Sequence, residues 1–274
     1  GASISGIYLR EDVQVVIGAE NGTDNGTATR IIANNSIDID AKADQDTLTY
    51  MAAGGVSTND VAAAGSFGFN VMDSDVDVTI IEDAVLQATT GSIGINADSM
   101  TNIRNFALAI SGSGGGNSVG GSLALNLFLT DKKAVIGTST SADNNISINA
   151  ATNVNIGVDT KQEITNGIIS ASVSTSDNAI SGALSSNTVK GESKALVRRG
   201  ADINDNTTLN ASAGASAQAV SVYANDNTTL TDLTGTIAAS SSTSVGVALA
   251  ANVLWKDVEA SVDGAIIADG NVGI

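Results

Sequence analysis

The sequence predicts an all-β fold, namely a right-handed parallel β-helix (β-solenoid) that is built from repeats of roughly 60 residues. Three observations support this prediction. Two sequence blocks recur at a common spacing, apolar and polar residues alternate with period two, and the chain has few aromatic residues and no Pro. We expect one continuous solenoid segment over residues 1–274, a fragment of a longer array. Its handedness follows from the general rule for parallel crossovers.

Two blocks define the repeat. The first joins small and apolar residues to a final Asn, and its copies end at Asn70, Asn126, Asn187 and Asn252, at spacings of 56, 61 and 65 residues. The second has the form Ile-x-Ile-x-Ala and occupies 37–41, 93–97, 146–150 and, in a weaker copy, 207–211. Residues 6–10 are interpreted as a further copy of the first block, with Arg10 in the Asn position. The predicted repeats are 1–61, 62–119, 120–180, 181–244 and 245–274, the last one incomplete.

Period-two alternation predicts the strands. Segments 76–80 and 169–173 alternate apolar with polar residues, which places one face in a core and the other in water. A sandwich, barrel or propeller would show the same pattern, but a unit with so few aromatics must bury its core against neighbouring repeats. The absence of Pro suits strands that are paired on both edges. We expect short strands, two or three coils per repeat, and a rod on the order of 50–70 Å long at about 4.8 Å per coil.

The composition excludes several classes of function. The net charge of −17 leaves no basic footprint for nucleic acid and disfavours anionic membrane surfaces. Without His or Cys there is no Ser-His-Asp triad, no thiol nucleophile and no zinc site of the usual ligands. Residues 105–130 and 233–255 carry no charge, but Gly and Ser runs interrupt both, so no membrane insertion is predicted. We expect a single-chain rod that its acidic surface keeps soluble.

Carboxylates are the main candidates for a site. Asp73, Asp75 and Asp77 alternate along one predicted strand and therefore share a face, as do Asp38 and Asp40. Calcium, which takes six to eight oxygen ligands, would relieve the repulsion between them and is the only cofactor that we consider. A solvated acidic face and a catalytic carboxylate pair are the alternatives.

Basic and aromatic residues are fewer. The doublets Lys132-Lys133 and Arg198-Arg199 are interpreted as turn-side charges or as an anionic-glycan contact. The isolated rings of Tyr8, Tyr50, Tyr223 and Trp255 are expected to pack in coil corners or to stack on glycans. The Gly-rich run at 112–116 predicts a turn or a crowded stack. No Lys follows it to reach a phosphate.

The segments at 64–70, 120–126 and 244–252 resemble the repeat region of large autotransporter and filamentous-haemagglutinin-like adhesins, in particular leukotoxin-like filamentous adhesins of anaerobic Gram-negative bacteria. This resemblance implies a secreted or outer-membrane-surface location. It also implies contact with a host cell surface or with matrix glycan or protein, and it implies no catalytic residues. The expected function is a rigid stalk and host-contact segment of an adhesin or exotoxin, not an enzyme. The alternative is a glycan-active β-helix, a polysaccharide lyase or hydrolase.

Overall fold

The computed structural model describes residues 1–18, 28–137, 145–204, 219–268 and 270–274. This part of the chain is all-β, contains no helix and forms a parallel β-solenoid, as predicted. The strands are β1 (Ala2–Ile17), β2 (Thr29–Ala33), β3 (Ile37–Ser57), β4 (Ala62–Ile80), β5 (Ala84–Ala88), β6 (Ile93–Ser113), β7 (Ser118–Ile136), β8 (Ile146–Ala150), β9 (Val154–Ser174), β10 (Ala179–Val197), β11 (Ala201–Ile203), β12 (Val220–Ser240), β13 (Ser244–Val262), β14 (Ala265–Ile266) and β15 (Val272–Gly273).

Three parallel sheets form the walls of the solenoid. Sheet A has the order β1-β4-β7-β10-β13, sheet B contains β2, β5, β8, β11 and β14, and sheet C contains β3, β6, β9, β12 and β15. Each turn of the chain adds one strand to each sheet, and the next coils begin at β4, β7, β10 and β13. One repeat is therefore one coil.

The expectation of short strands with two or three coils per repeat was wrong. Complete strands of sheets A and C contain 16 to 21 residues, so two long strands and one short strand consume a whole repeat. The five strands of a sheet, at about 4.8 Å apart, extend only about 20 Å along the solenoid axis, while a 19-residue strand spans about 63 Å across it. The segment is a wide slab rather than a rod of 50–70 Å.

One half of each coil encloses an aliphatic core. Sheet B closes this half between the C-terminal part of sheet A and the N-terminal part of sheet C, and Ile80, Leu86 and Ile95 are fully buried in it. The alternation at 76–80 and at 93–97 predicted this orientation correctly, since Val76, Val78 and Ile80 face inwards. In register with Ile95, Ile39 and Ile156 continue the same column in the adjacent coils.

The other half of each coil, which we call the fin, has no third sheet. It consists of residues 2–9, 48–72, 105–130, 164–189 and 233–255, where sheets A and C face each other directly and the chain reverses at a tight arc. Its interior combines small polar residues with a few larger apolar ones. Ser111 Oγ lies 2.8 Å from Ser118 Oγ, which in turn accepts a 3.0 Å hydrogen bond from Ser172 Oγ. Met51 and Ile168 are buried there among Ala residues, and Phe128 is buried at the base of the fin.

The fin reverses the expected side-chain orientation. In segment 169–173, Ser170 and Ser172 are buried while Ile169 and Val173 are exposed. In segment 65–70, Phe67 and Phe69 point outwards and Ser66 and Asn70 point inwards. Alternation identified the two faces, but assigning the apolar face to the interior was wrong here. Small residues line much of the interior of the fin, and its larger buried side chains, such as Met51, Ile168 and Phe128, are packed in two separate clusters.

The recurring Asn is a buried ladder at the base of the fin. Asn70, Asn126, Asn187 and Asn252 are in register through sheet A, and Asn70 and Asn126 each donate to the amide of the next coil, at 2.8 and 2.7 Å. A second column from sheet C joins them: Asn105 donates to Asn126 at 2.9 Å and to Asn166 at 3.1 Å. Each amide presents both donors and acceptors, so the ladder satisfies polar groups from coil to coil.

Three details of the predicted repeat differ. Residues 146–150 form β8 in sheet B, whereas 37–41 and 93–97 are the first residues of sheet C strands. The predicted alignment of 93–97 with 146–150 therefore equated strands of two different sheets. The true equivalents of Ala41 and Ala97 are Val158 and Ala224. Residue 7, not Arg10, occupies the Asn position of the first coil. The copy proposed at 207–211 lies outside the described residues.

The Gly-rich run is a crowded arc, as predicted. Gly114 and Gly116 are so close to the arc of the preceding coil that an added Cβ would approach Thr58 O at 2.8 Å and the Asp60 backbone at 2.7 Å. These distances are shorter than Cβ contacts in real structures, so a side chain at either position would push the stacked arcs apart.

Candidate functional site

The outer face of sheet A changes character along each strand. In the fin the outward columns are apolar and small, and towards the C-terminal end of each strand they become charged. The parallel register places equivalent residues of successive coils directly above one another, about 4.8 Å apart. Side chains that are about 60 residues apart in sequence therefore form continuous lines along the axis.

The charged part carries a line of five carboxylates, which we call the carboxylate ladder. It consists of Asp12, Asp75, Asp131, Glu192 and Asp257. Like charges at this spacing repel, and partial burial, followed by the charges of Asp73 and Asp131, raises the pKa of Asp75. Burial is also the main cause of the raised pKa of Asp77, which Lys133 partly offsets.

The predicted calcium candidates share the outward face but are not neighbours in one cluster. Asp73, Asp75 and Asp77 alternate along β4, which separates successive ones by about 6.7 Å. Across the coils Asp73 lies beside Arg10, Asp75 between Asp12 and Asp131, and Asp77 beside Lys133. In the part of the chain that the structure describes, no group of three carboxylates has the arrangement of a metal site. The structure thus places Asp75 next to carboxylates of the adjacent coils rather than in a cluster with Asp73 and Asp77.

The carboxylates of β3 are engaged with neighbours. Asp40 accepts a 2.9 Å hydrogen bond from Asn96, and Asp44 lies 3.3 Å from Lys42. Both carboxylate oxygens of Asp46 accept hydrogen bonds from Nη2 of Arg104. Burial, followed by Asp159 and Asp40, raises the pKa of Asp98. The outer face of sheet C therefore repeats the pattern of sheet A, with charges away from the fin.

Replacing Asp75 by Asn should stabilise the fold at neutral pH. A carboxyl whose pKa is raised on folding favours the folded state while it is protonated and loses that contribution as the pH rises through the folded-state pKa. D75N removes the repulsion within the ladder. We therefore expect a higher midpoint of urea unfolding at pH 7 and a weaker gain on acidification than in the wild type. The exposed Asp38→Asn serves as the control, and a lower midpoint for D75N would contradict the repulsion.

Beside the ladder lies a polar depression that contains both signs of charge. It has a volume of about 450 Å³, and its charged lining residues are Lys133, Glu192, Lys194, Arg198, Glu259 and Asp263. Lys194 lies 2.7 Å from Asp257 and 3.2 Å from Glu192, and its hydrogen bond to Asp257 is the main cause of its raised pKa. Lys133 approaches Glu192 at 3.6 Å. Sequence reasoning missed this grouping because its members come from different coils. The spacing of 56 to 65 residues between equivalent positions was the signal that could have brought them together.

Lys132 is not a turn-side charge. Its side chain points inwards from β7 and is fully buried, where its Nζ donates to the hydroxyl of Ser74 at 2.9 Å and to the carbonyl of the same residue. Burial lowers the pKa of Lys132 to about 8, despite the opposing charges of Asp75 and Asp131. Lys133, the other residue of this doublet, lies within β7 and faces outwards.

The buried lysine predicts an alkaline gain in stability. Between a folded pKa of about 8 and the ordinary 10.5, the unfolded chain binds more protons, so stability should rise with pH by up to about 3 kcal/mol. Lys132→Met should remove this rise and be at least as stable as the wild type at pH 7.5. Lys133→Met, one residue away on the outer face, should retain the rise. Urea midpoints from pH 7.5 to 10 test this, and parallel curves for the wild type and K132M would refute it.

A second lysine, which forms an ion pair, points into the same interior strip. Lys256 Nζ is 3.1 Å from Asp226, and it donates to Gln162 Oε1 at 2.8 Å and to the Thr130 hydroxyl at 3.2 Å. Burial lowers the pKa of Lys256, and Asp226 opposes that effect. These groups face the interior of the coil and hold sheets A and C together where the fin meets the aliphatic core.

The aromatic residues lie on flat outer faces, so the expectation of corner packing was wrong for Tyr8, Tyr50 and Trp255, which are exposed. Tyr50 stacks on Phe106 of the next coil with ring centroids 5.2 Å apart. Phe106 in turn covers Gly167, and Tyr223 covers Gly157, where an added Cβ would collide with the ring. Glycine in one coil thus makes room for an aromatic ring from its neighbour.

No family model, no curated protein and no solved structure matches this chain. Among the described residues, no helix is both long and apolar enough to cross a membrane.

Proposed function

We propose that this chain is an extracellular repeat segment of a bacterial surface adhesin or exotoxin, acting as a rigid stalk and as a host-contact surface rather than as an enzyme. The observation that supports this is the unbroken register of sheet A, in which strands from five successive coils pair residue for residue. A structure that repeats itself coil by coil can extend without limit and presents the same columns along its whole length.

The interior supports rigidity. The Asn ladder and the paired Ser residues hydrogen-bond each coil to its neighbours, and the aliphatic core is continuous from coil to coil. Bending between two coils would disrupt the hydrogen-bond ladders and the core packing at the same time. A stalk that projects a distal region from a cell needs this resistance, and the resemblance to filamentous adhesins supports a location outside the cell of a Gram-negative bacterium.

The outer face supports contact. Carboxylates stand in one line about 4.8 Å apart, so a host glycan or protein would meet a carboxylate in each of the five coils. Lysines and exposed aromatic rings lie on the same outer faces. Such multivalent contact gives useful avidity from weak individual interactions. Calcium bound near Asp73, Asp75 and Asp77 remains part of this proposal.

Binding of the labelled chain to epithelial and immune cells, with calcium and with a chelator, tests the proposal. Saturable binding that D75N weakens and Asp38→Asn preserves would support a contact function for the ladder, and loss with chelator would indicate calcium. Binding that is absent under both conditions would remove the contact function and leave a spacer.

A glycan-active enzyme is the second candidate, and the polar depression favours it. Glu192 and Glu259 lie there with Lys133 and Lys194, and glycoside hydrolysis uses a pair of carboxyl groups that flank the scissile bond. Product release from a panel of acidic and neutral polysaccharides, abolished by Glu192→Gln and retained by Asp38→Asn, would establish this activity. Inactivity on the whole panel would exclude it.

A further inference from the structure

The fin is nearly free of charge. The chain has 29 acidic and 12 basic residues, yet only Asp60 and Asp177 lie within the fin, and both are in the arcs. Its outward side chains are instead apolar: Ile4, Leu249 and Val247 are 77, 60 and 51 % exposed. Monomeric proteins rarely leave a continuous apolar surface of this kind uncovered, and such patches mark interaction sites.

The sheet A side of the fin has a defined relief. Gly65, Gly121 and Gly182 stand in one column and form the floor of a groove of about 580 Å³ that runs along the solenoid axis. On one side a ridge rises, formed by Ile4, Phe67, Leu123, Leu184 and Leu249. The opposite wall consists of Ala63, Val119, Ile180 and Val245.

We propose that this face pairs with the same face of a second copy of the chain, the ridge of each copy lying in the groove of the other. Ridge and groove are adjacent, parallel and straight. The surface is therefore self-complementary about a two-fold axis that runs between the two copies, parallel to the solenoid axis. In that arrangement the ridge column containing Leu123 faces the groove column containing Gly121 of the partner, and the reverse contact follows by symmetry. The expectation of a single-chain rod is replaced by this pairing.

The distribution of charge selects this orientation. A two-fold axis along the solenoid axis makes the strands of the two copies antiparallel, so only the fins overlap and the carboxylate ladders point in opposite directions. An axis along the strands would instead bring Asp75 and Asp131 of one copy against those of the other. Repulsion between two ladders of five carboxylates disfavours that alternative.

The area is sufficient for a stable dimer. The apolar face covers five coils at about 4.8 Å and about ten residues along each strand, or roughly 800 Å² on each copy. Specific protein interfaces bury about this much on each partner. A bilayer could also accept an apolar fin. It would not explain a groove that fits the ridge of a second copy.

Sedimentation velocity of the complete chain over a concentration series tests the pairing. We expect a species of twice the 27.2 kDa chain mass. Leu123→Asp, in the middle of the ridge, should raise the dimer dissociation constant at least tenfold, that is by about 1.4 kcal/mol. The matched control is Leu129→Asp, which introduces the same charge on the same strand and face, but beyond the overlap. It should leave the constant within about threefold.

A second variant fills the groove without adding charge. An added Cβ at Gly121 meets no atom within 4 Å, and Val247 already occupies the same column in the last coil. Gly121→Val should therefore fold with an unchanged circular dichroism spectrum and thermal midpoint, yet lose the dimer.

The orientation is tested by cysteines, of which the chain has none. The proposed axis brings Val119 of one copy opposite Leu125 of the other, so V119C/L125C should form a disulfide-linked dimer on oxidation, and L125C alone should not. A monomeric wild type at all concentrations would overturn the proposal. The proposal would also be overturned if L129D dissociated the dimer as completely as L123D does. A monomer that floats with phosphatidylcholine vesicles, and loses this with L123D, would overturn it in favour of a lipid surface.

Discussion

Ile95→Asp should unfold at least the coil that contains it. Ile95 is fully buried, and Ile39 and Ile156 lie above and below it in register within the aliphatic core. A carboxylate there has no partner and must either remain charged in an apolar environment or take up a proton. We expect a loss of at least about 4 kcal/mol of unfolding free energy. The measurement is guanidinium unfolding followed by circular dichroism.

The control for this substitution is Asn155→Asp, which adds the same charge on the exposed outer face of the adjacent strand. It should leave the unfolding midpoint nearly unchanged. If Ile95→Asp melted with the wild type, the inward orientation of 93–97 would be wrong, and with it the assignment of the core.

Asn126→Leu should cost on the order of 4 kcal/mol, although Leu has the same number and branching of side-chain heavy atoms as Asn and adds apolar surface. The Asn126 amide accepts hydrogen bonds from Asn70 and Asn105 and donates to Asn166 and Asn187, at distances from 2.7 to 3.2 Å. Leu would remove one hydrogen bond from each of these four buried amides, and a buried polar group that loses its partner carries a desolvation cost of about 1–3 kcal/mol.

The same substitution at the end of the ladder is the control. Asn252 accepts one hydrogen bond, from Asn187, and lies in an exposed strand. Asn252→Leu should therefore cost less than about 1 kcal/mol. Equal losses for the two variants in urea unfolding would mean that the ladder does not act as a connected network.

Predictability differed between the two halves of the coil. Around 76–80 and 93–97, alternation with large β-branched residues predicted both the strand and its buried face. In the fin the same alternation predicted the strand but not the face. Ser and Asn residues face the interior there together with a few large side chains such as Phe128 and Ile168, while Ile169 and Leu125 face outwards. Apolar character therefore did not indicate burial in the fin.

The candidate site was predictable only in part. Asp73, Asp75 and Asp77 were correctly placed on one outward face, because that follows from the period of a strand. Their true neighbours, such as Asp12, Asp131 and Lys133, come from other coils. Identifying these neighbours requires the strand register between coils. The recurring Asn indicated that register for sheet A, but for sheets B and C the mistaken alignment of 146–150 with 93–97 gave the wrong register.

By itself, the sequence determined the class of fold, the length of the repeat and the residues that line the aliphatic core, because these depend on local periodicity and on composition. Tertiary structure alone decided that one repeat forms one wide coil, that Lys132 is buried, and that the apolar side chains of the fin face outwards. Each of these depends on how far apart two sheets lie and on which residues stack across coils. Those distances are set by the closure of the whole coil and not by any single segment.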